Sequence, residues 1–321
     1  MSPLFFNNQV IVYLFSEIVL GVLTLYLFLL TIKFLRYWNF KSFSNLQLQL
    51  EKKAYLVSTI ATSLFALKLT LLIYFVYTID ALSLIVPGAM CAAGVISANG
   101  YGMDLLLVKL IIIFTLLLFL VQNSYDLKAK DYPLFRLKSW TLVVAALLIF
   151  LEGYLDYNYF THIDISTPVS CCSSLYGNLE GANPLPFGLN ITTLLLLFFT
   201  LYIGVEIALF LESRVIVALS IILFGIIAYY SVVYFFGTYV YELPTHKCPF
   251  CMLQKEYCYV GYFIWGSLFF GLYFGLIWVI MSYSGYKIER AKRFSMLILT
   301  LFVLLCSLYV AVYYIKNGVL L

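Results

Sequence analysis

The stretch "DLLLVKLIIIFTLLLFLVQ", residues 104–122, decides the class of fold. It is apolar apart from its ends, Lys109 and Thr115, and it is long enough to cross the ~30 Å hydrocarbon core of a bilayer as a helix. Similar runs recur along all 321 residues, of which 64% are hydrophobic and only 11% are charged. Soluble domains carry about 25% charged residues. The sequence therefore predicts an all-α, polytopic integral membrane protein.

Hydropathy predicts eight spans, which we expect to form one transmembrane domain over residues 1–321. The predicted spans are residues 10–33, 54–79, 104–122, 139–160, 189–211, 215–236, 259–283 and 294–316. Polar residues at helix starts indicate Asp104 and Asn190 as N-caps of the third and fifth spans. Residues 87–102 are apolar and glycine-rich but too short to cross, so we expect a re-entrant or interfacial segment there.

The basic residues predict the orientation. Fourteen of the nineteen Lys and Arg residues fall in the first, third, fifth and seventh loops. Because basic loops stay on the cytoplasmic side, we expect both termini to lie outside, in a multi-pass protein of the cytoplasmic membrane. The bilayer is then its main environment. No basic stripe with interleaved aromatic residues is present, so we do not expect nucleic acid as a partner.

The cysteines are concentrated in the predicted external loops. Six of the seven lie there, namely Cys91, Cys171, Cys172, Cys248, Cys251 and Cys258, and Cys306 lies inside the eighth span. External compartments are usually oxidising, so disulfide bonds that staple the loops are one interpretation.

The motif "CPFC", Cys248 to Cys251, favours redox chemistry instead. It comes just before the seventh span, and a helix N-terminus lowers the pKa of a nearby thiol and makes it a better nucleophile. We expect Cys248 to be more exposed, Cys251 to lie nearer the helix and Cys258 to lie deeper. The vicinal pair Cys171–Cys172 is the candidate second redox pair.

These two motifs resemble, in outline, those of disulfide-forming quinone reductases and vitamin K epoxide reductases. Those families also carry a membrane-surface CxxC at the start of a span and a second cysteine pair in another external loop. They are four-helix bundles whose second pair is separated by several residues, and the resemblance covers about a tenth of this chain. It implies an analogous mechanism rather than membership of either family.

The same region supports a metal-site hypothesis. His246, Cys248, Cys251 and Cys258 have the spacing H-x-C-x₂-C-x₆-C, and thiolates select soft ions such as Cu(I). Further soft ligands could come from Met90, Cys91, His162 and Met252. A c-type haem is excluded because Met252 stands where the attachment motif requires histidine.

Ionisable residues inside the predicted spans indicate a buried cluster. Lys109, Asp156 and Glu152 lie roughly 8, 6 and 12 Å below the outer helix ends, given the rise of 1.5 Å per residue. Such residues usually face a partner or a wet cavity. We expect these three to pair, either to fasten helices together or to deliver protons to the thiols. Lys68 lies deeper, with Glu17 as its partner by depth or with its amine snorkelling to the surface.

Three functional hypotheses follow. The first is a thiol–disulfide oxidoreductase that takes electrons from an external thiol protein and passes them to a membrane quinone. The aromatic residues at the outer end of span six are typical of an interfacial belt, and alternatively of a site where a quinone ring stacks. The second is a soft-metal binding or transport subunit. The third is a structural subunit of a larger membrane complex with disulfide-locked loops.

Overall fold

The computed structural model describes residues 3–38, 44–89, 91–129, 132–166, 168–169, 185, 188–244 and 246–321. Within these ranges the chain is helical, and eight helices are long and apolar enough to span a membrane. This confirms the predicted all-helical, polytopic class, whereas the orientation stays a prediction. Contacts divide the chain into two compact units, Met1–Cys171 and Cys172–Leu321. We describe each unit separately, and the single transmembrane domain stays a prediction.

The first unit contains four of these long helices and one short one. They are α1 (Asn8–Tyr37), α2 (Asn45–Leu82), α3 (Ala92–Ile96), α4 (Tyr101–Asp126) and α5 (Phe135–Thr161). Helix α1 packs against α2 and α5, and α4 packs against α5. Helix α2 begins well before the predicted span because the Ser44 side chain caps it, accepting a hydrogen bond from the Gln47 amide at 3.3 Å.

The inner face of α1 follows a simple spacing. Its buried residues alternate at steps of three and four, and they are Val10, Tyr13, Glu17, Leu20, Thr24, Leu27, Thr31 and Phe34. Such a repeat keeps one stripe of a helix against its neighbours. Two polar side chains, Tyr13 and Glu17, are thereby fixed on the packed side of the helix.

The described residues of the glycine-rich segment 87–102, which are all but residue 90, form a short helix and turns. Helix α3 is held against α5, because the Tyr159 hydroxyl donates to the Val95 carbonyl at 2.8 Å and the Asn99 amide donates to the Tyr159 carbonyl at 2.9 Å. A Cβ atom at Gly102 would overlap the Ile96 carbonyl, so only glycine allows this approach. Helix α4 starts at Tyr101, which makes the prediction of Asp104 as an N-cap wrong.

The second unit contains the other four long helices. They are α6 (Ile191–Phe210), α7 (Arg214–Tyr241), α8 (Val260–Tyr283) and α9 (Glu289–Asn317). Helix α8 packs against α7 and α9, and α6 packs against α7. Asn190 is the N-cap of α6, as predicted, and its backbone amide donates to the Thr193 hydroxyl at 3.0 Å. Helix α7 contains a π-helical segment, Val232–Phe236.

Two glycines of α8 bring its neighbours close. A Cβ atom at Gly271 would lie 2.5 Å from the Leu299 side chain of α9, and the Ser295 hydroxyl donates to the Gly271 carbonyl at 2.8 Å. Gly275 faces Ile221 of α7 in the same way. Because glycine has no side chain, Gly271 and Gly275 allow tight helix packing in the core of this unit, as small residues do between membrane helices.

Candidate functional site

The loop between α7 and α8 carries three of the cysteines. It contains two 3₁₀ helices, Cys251–Leu253 and Lys255–Tyr257. The chain enters the loop through Glu242 and reaches α8 through Cys258 and Tyr259, and all three residues have positive φ, between 52° and 56°. Residues other than glycine rarely adopt this backbone conformation, so contacts with the rest of the unit must hold the loop in it.

Two aromatic side chains anchor the CPFC segment to the helices. The Tyr241 hydroxyl, at the end of α7, donates to the Cys248 carbonyl and accepts from the Met252 amide at 3.1 Å. The indole of Trp265, in α8, donates to the Pro249 carbonyl at 3.1 Å. These bonds satisfy polar backbone groups of the loop and fix the positions from which the thiols project.

The loop brings His246, Cys248 and Cys251 together. One donor atom from each residue, an imidazole nitrogen or a Sγ atom, lies within 4.8 Å of the other two. His246 and Cys251 are each 6% exposed, and Cys248 is half-buried. The pair thus has one sulfur within reach of the surface and one beneath it, and no disulfide bond joins them.

The pKa of the Cys248 thiol is lowered to about 4. Its hydrogen bond with the Cys251 thiol is the largest cause, and burial opposes it. Hydrogen bonds from His246 and from the backbone amides of Phe250 and Cys251 lower the pKa further. Cys248 is therefore a thiolate at neutral pH, the form that acts as a nucleophile and as a metal ligand.

The cause of this thiolate differs from the one we expected from sequence. The CPFC motif does not stand at the N-terminus of α8, because Cys251 begins a separate 3₁₀ helix of three residues and α8 starts only at Val260. Hydrogen bonds from neighbouring groups replace the dipole. Sequence spacing could not indicate this, because the donors depend on how the loop turns.

Other cysteines lie apart from this group or outside the described residues. Cys258 is exposed, not deeper than Cys251, and it is not among the three grouped residues. Cys306 is buried in α9. Cys91 is buried just before α3 of the first unit. The candidate pair Cys171–Cys172 and the candidate ligand Met90 are outside the described residues. No disulfide bond is seen among the cysteines that the structure describes.

The two remaining candidate ligands, Met252 and His162, belong to different units. Met252 follows Cys251 directly in the second unit and is buried. His162 is exposed at the end of α5 in the first unit, where its Nδ1 atom lies 2.9 Å from the Asn158 carbonyl oxygen.

The predicted cluster of ionisable residues is present in the first unit. The Lys109 amine lies 2.7 Å from Glu152 and 3.1 Å from Asp156. The Lys68 amine lies 2.5 Å from both Glu17 and Glu152. All five side chains are buried. The expectation that Lys109, Glu152 and Asp156 pair is confirmed, and Lys68 joins them instead of snorkelling.

Sequence reasoning missed one member of this cluster. Tyr13 is fully buried, and its hydroxyl contacts Asp156 at 3.0 Å and Glu17 at 3.1 Å and accepts a hydrogen bond from Lys109. The available signal was its position four residues before Glu17, on the same face of α1. That signal is weak in a chain with 28 tyrosines.

Comparisons with known proteins give no relative. No family model, no curated protein and no solved structure matches this chain significantly. The site's own geometry therefore carries the functional argument.

Proposed function

We propose that the protein is a membrane thiol–disulfide oxidoreductase whose redox centre is the Cys248–Cys251 pair. One observation carries the proposal: a half-buried Cys248 and a buried Cys251 lie with His246 in a group only 4.8 Å across. A disulfide exchange centre needs one accessible sulfur for the partner and a second sulfur close enough to close the ring. The lowered pKa of Cys248 supports this assignment.

The exchange proceeds in two steps from the oxidised pair. A thiolate of the partner attacks the Cys248 sulfur, the Cys248–Cys251 bond breaks, and Cys251 leaves and takes up a proton. The second thiol of the partner loses its proton and attacks the partner's own sulfur in the mixed disulfide, so that Cys248 leaves as a thiolate. The partner ends as a disulfide, and this protein holds the two electrons.

The low pKa of Cys248 sets the direction of transfer. A stabilised thiolate favours the reduced form of the pair, which makes its disulfide a ready electron acceptor. A thiolate of low pKa is also the better leaving group in the second step. Both properties suit a centre that oxidises an external dithiol protein, on the outer face of a cytoplasmic membrane.

Re-forming the disulfide requires a two-electron acceptor, and we assign this role to a membrane quinone. As the Cys248–Cys251 bond forms, the quinone takes two electrons from the pair, one proton from the Cys251 thiol and a second proton from water at the membrane surface. An aromatic group borders the thiols: Trp265, which bonds the Pro249 carbonyl, lies 5.7 Å from Tyr229 between ring centroids. A planar quinone ring can stack on such side chains.

The Cys251→Ala variant tests this function. Without Cys251 to resolve it, the Cys248 thiolate that attacks an oxidised partner should remain in a mixed disulfide, with Cys171, Cys172 or an external protein. Non-reducing gels and mass spectrometry should detect this adduct, and Cys258→Ala is the matched control that should give none. Absence of an adduct in a folded Cys251→Ala protein supplied with oxidised dithiol peptide would refute the exchange mechanism.

A specific observation favours one second function, soft-metal binding. The His246 Nε2 atom is buried and has no hydrogen-bond partner among the described residues, and two sulfur donors lie beside it. Three such donors suit Cu(I) or Zn²⁺. Under this hypothesis, Cys251→Ala and His246→Ala should each lower the Cu(I) bound by the purified protein, with no covalent adduct. If the variants show no adduct and no loss of metal, the structural-subunit hypothesis is the one that remains.

A further inference from the structure

The buried cluster of the first unit joins six side chains from four helices. Helix α1 gives Tyr13 and Glu17, α2 gives Lys68, α4 gives Lys109, and α5 gives Glu152 and Asp156. Aromatic rings enclose it: the Lys109 amine lies 4.6 Å from the Phe75 ring centroid, and Phe160 packs against Tyr13. The nearby Tyr159 hydroxyl donates its hydrogen bond to the Val95 carbonyl and not to a carboxyl group of the cluster.

The cluster contains one more carboxyl group than it contains amines. It contains three carboxyl groups and two amines, so full ionisation would leave one uncompensated negative charge, and no other cation of the described chain pairs with these carboxylates. An uncompensated charge buried away from water costs far more than a paired one. The cluster should therefore take up one positive charge.

The hydrogen bonds indicate which carboxyl group takes it up. The amines of Lys68 and Lys109 lie 2.5 and 2.7 Å from the Glu152 carboxylate, and the Lys68 amine also lies 2.5 Å from the Glu17 carboxylate. Asp156 has the weakest ionic pairing, a single amine at 3.1 Å. Both of its oxygens lie 3.0 Å from the Tyr13 hydroxyl.

We propose that this cluster is a proton-binding site, with one proton held by Asp156 at neutral pH. The Asp156 hydroxyl then donates to the Tyr13 oxygen, and the Tyr13 hydroxyl donates to Glu17 at 3.1 Å. Every carboxyl group has a donor or an amine, and the cluster is electrically neutral. With Asp156 ionised, the single Tyr13 proton would instead be shared between two carboxylates. The site is independent of the proposed thiol function.

Infrared difference spectroscopy tests the proposal on the full chain. A protonated carboxyl group gives a C=O stretching band that shifts in D₂O, and we expect Asp156→Asn to abolish one such band. The comparison is made in a Glu206→Gln background, because Glu206 of α6 has a buried oxygen without a described partner and can carry a band of its own. Labelling of aspartate with ¹³C should shift the Asp156 band, and labelling of glutamate should leave it unmoved.

The isotope experiment needs no mutation in the cluster, so a variant that fails to fold leaves the test intact. A spectrum with no protonated aspartate at neutral pH would overturn the proposal, as would a band that persists in folded Asp156→Asn. Exchange of potassium for sodium provides a second arm: we expect the Asp156 band to persist, and its loss in sodium would overturn the assignment of a proton as the cation that balances the cluster.

Discussion

At the scale of single residues, Cys248 and Cys251 differ through their neighbours rather than through their own chemistry. Cys248 accepts hydrogen bonds from Cys251, His246 and two backbone amides, which hold it as a thiolate. Cys251 lies beneath it at 6% exposure. The proposed exchange mechanism assigns attack to Cys248 and resolution to Cys251, and the different exposure of the two thiols suits that assignment.

The pH dependence of alkylation tests this difference. Because the pKa of Cys248 is lowered to about 4, the thiolate persists above that pH and is lost only below it. Alkylation of Cys248 by iodoacetamide should be nearly constant from pH about 5 to 8 and fall about tenfold per unit below pH 4. Mass spectrometry of the Cys248 peptide measures the rate. In Cys251→Ala the fall should move to higher pH, because the hydrogen bond that lowers the pKa most is gone; an unchanged profile would contradict the assigned cause.

The sequence predicts some residues of the two candidate sites and not others. The CxxC pair and the partners Lys109, Glu152 and Asp156 follow from spacing and depth along helices. The separation of Cys258 from the other thiols does not, because it depends on the positive φ of Cys258 and Tyr259. The role of Tyr13 depends on which face of α1 packs inward.

At the scale of elements, the bilayer makes spans predictable and leaves loops undetermined. All eight spans were predicted because a crossing helix needs about 20 apolar residues. Their ends were less accurate: α2 begins at Asn45, before the apolar run, because a cap rather than hydropathy sets that end. The CPFC loop is held by Tyr241 and Trp265, two side chains that no local motif marks.

The contact between α8 and α9 gives a test at this scale. A methyl group at Gly271 would meet Leu299 at 2.5 Å, so Gly271→Ala should destabilise the protein by about 1–3 kcal/mol through overpacking. Gly266 is the matched control, since it lies in the same helix with nothing within 4 Å of an added Cβ. Thermal unfolding in detergent should show a lower midpoint for Gly271→Ala alone. Equal midpoints for the two variants would show that this packing is looser than described.

At the scale of the whole molecule, the two units carry two different kinds of chemistry. The first encloses a network of charges that binds a proton, and the second presents a thiol pair in a loop. The charged cluster lies within the first unit, and the Cys248–Cys251 pair lies within the second. Thiol exchange with an external partner also requires the loop between α7 and α8 to face outward, which only the distribution of basic residues predicts.

Cysteine labelling in intact cells tests that orientation. Cys258 is the better probe in this loop because it is exposed, whereas Cys251 is buried. An impermeant maleimide should label Cys258 in intact cells. A Glu289→Cys variant places a thiol at the exposed first residue of α9, next to the basic loop between α8 and α9, and it leaves every Lys and Arg that sets the orientation in place. That new thiol should react only after permeabilisation. The opposite pattern would invert the topology and place the Cys248–Cys251 pair in the reducing cytoplasm, where oxidation of an external dithiol protein is impossible.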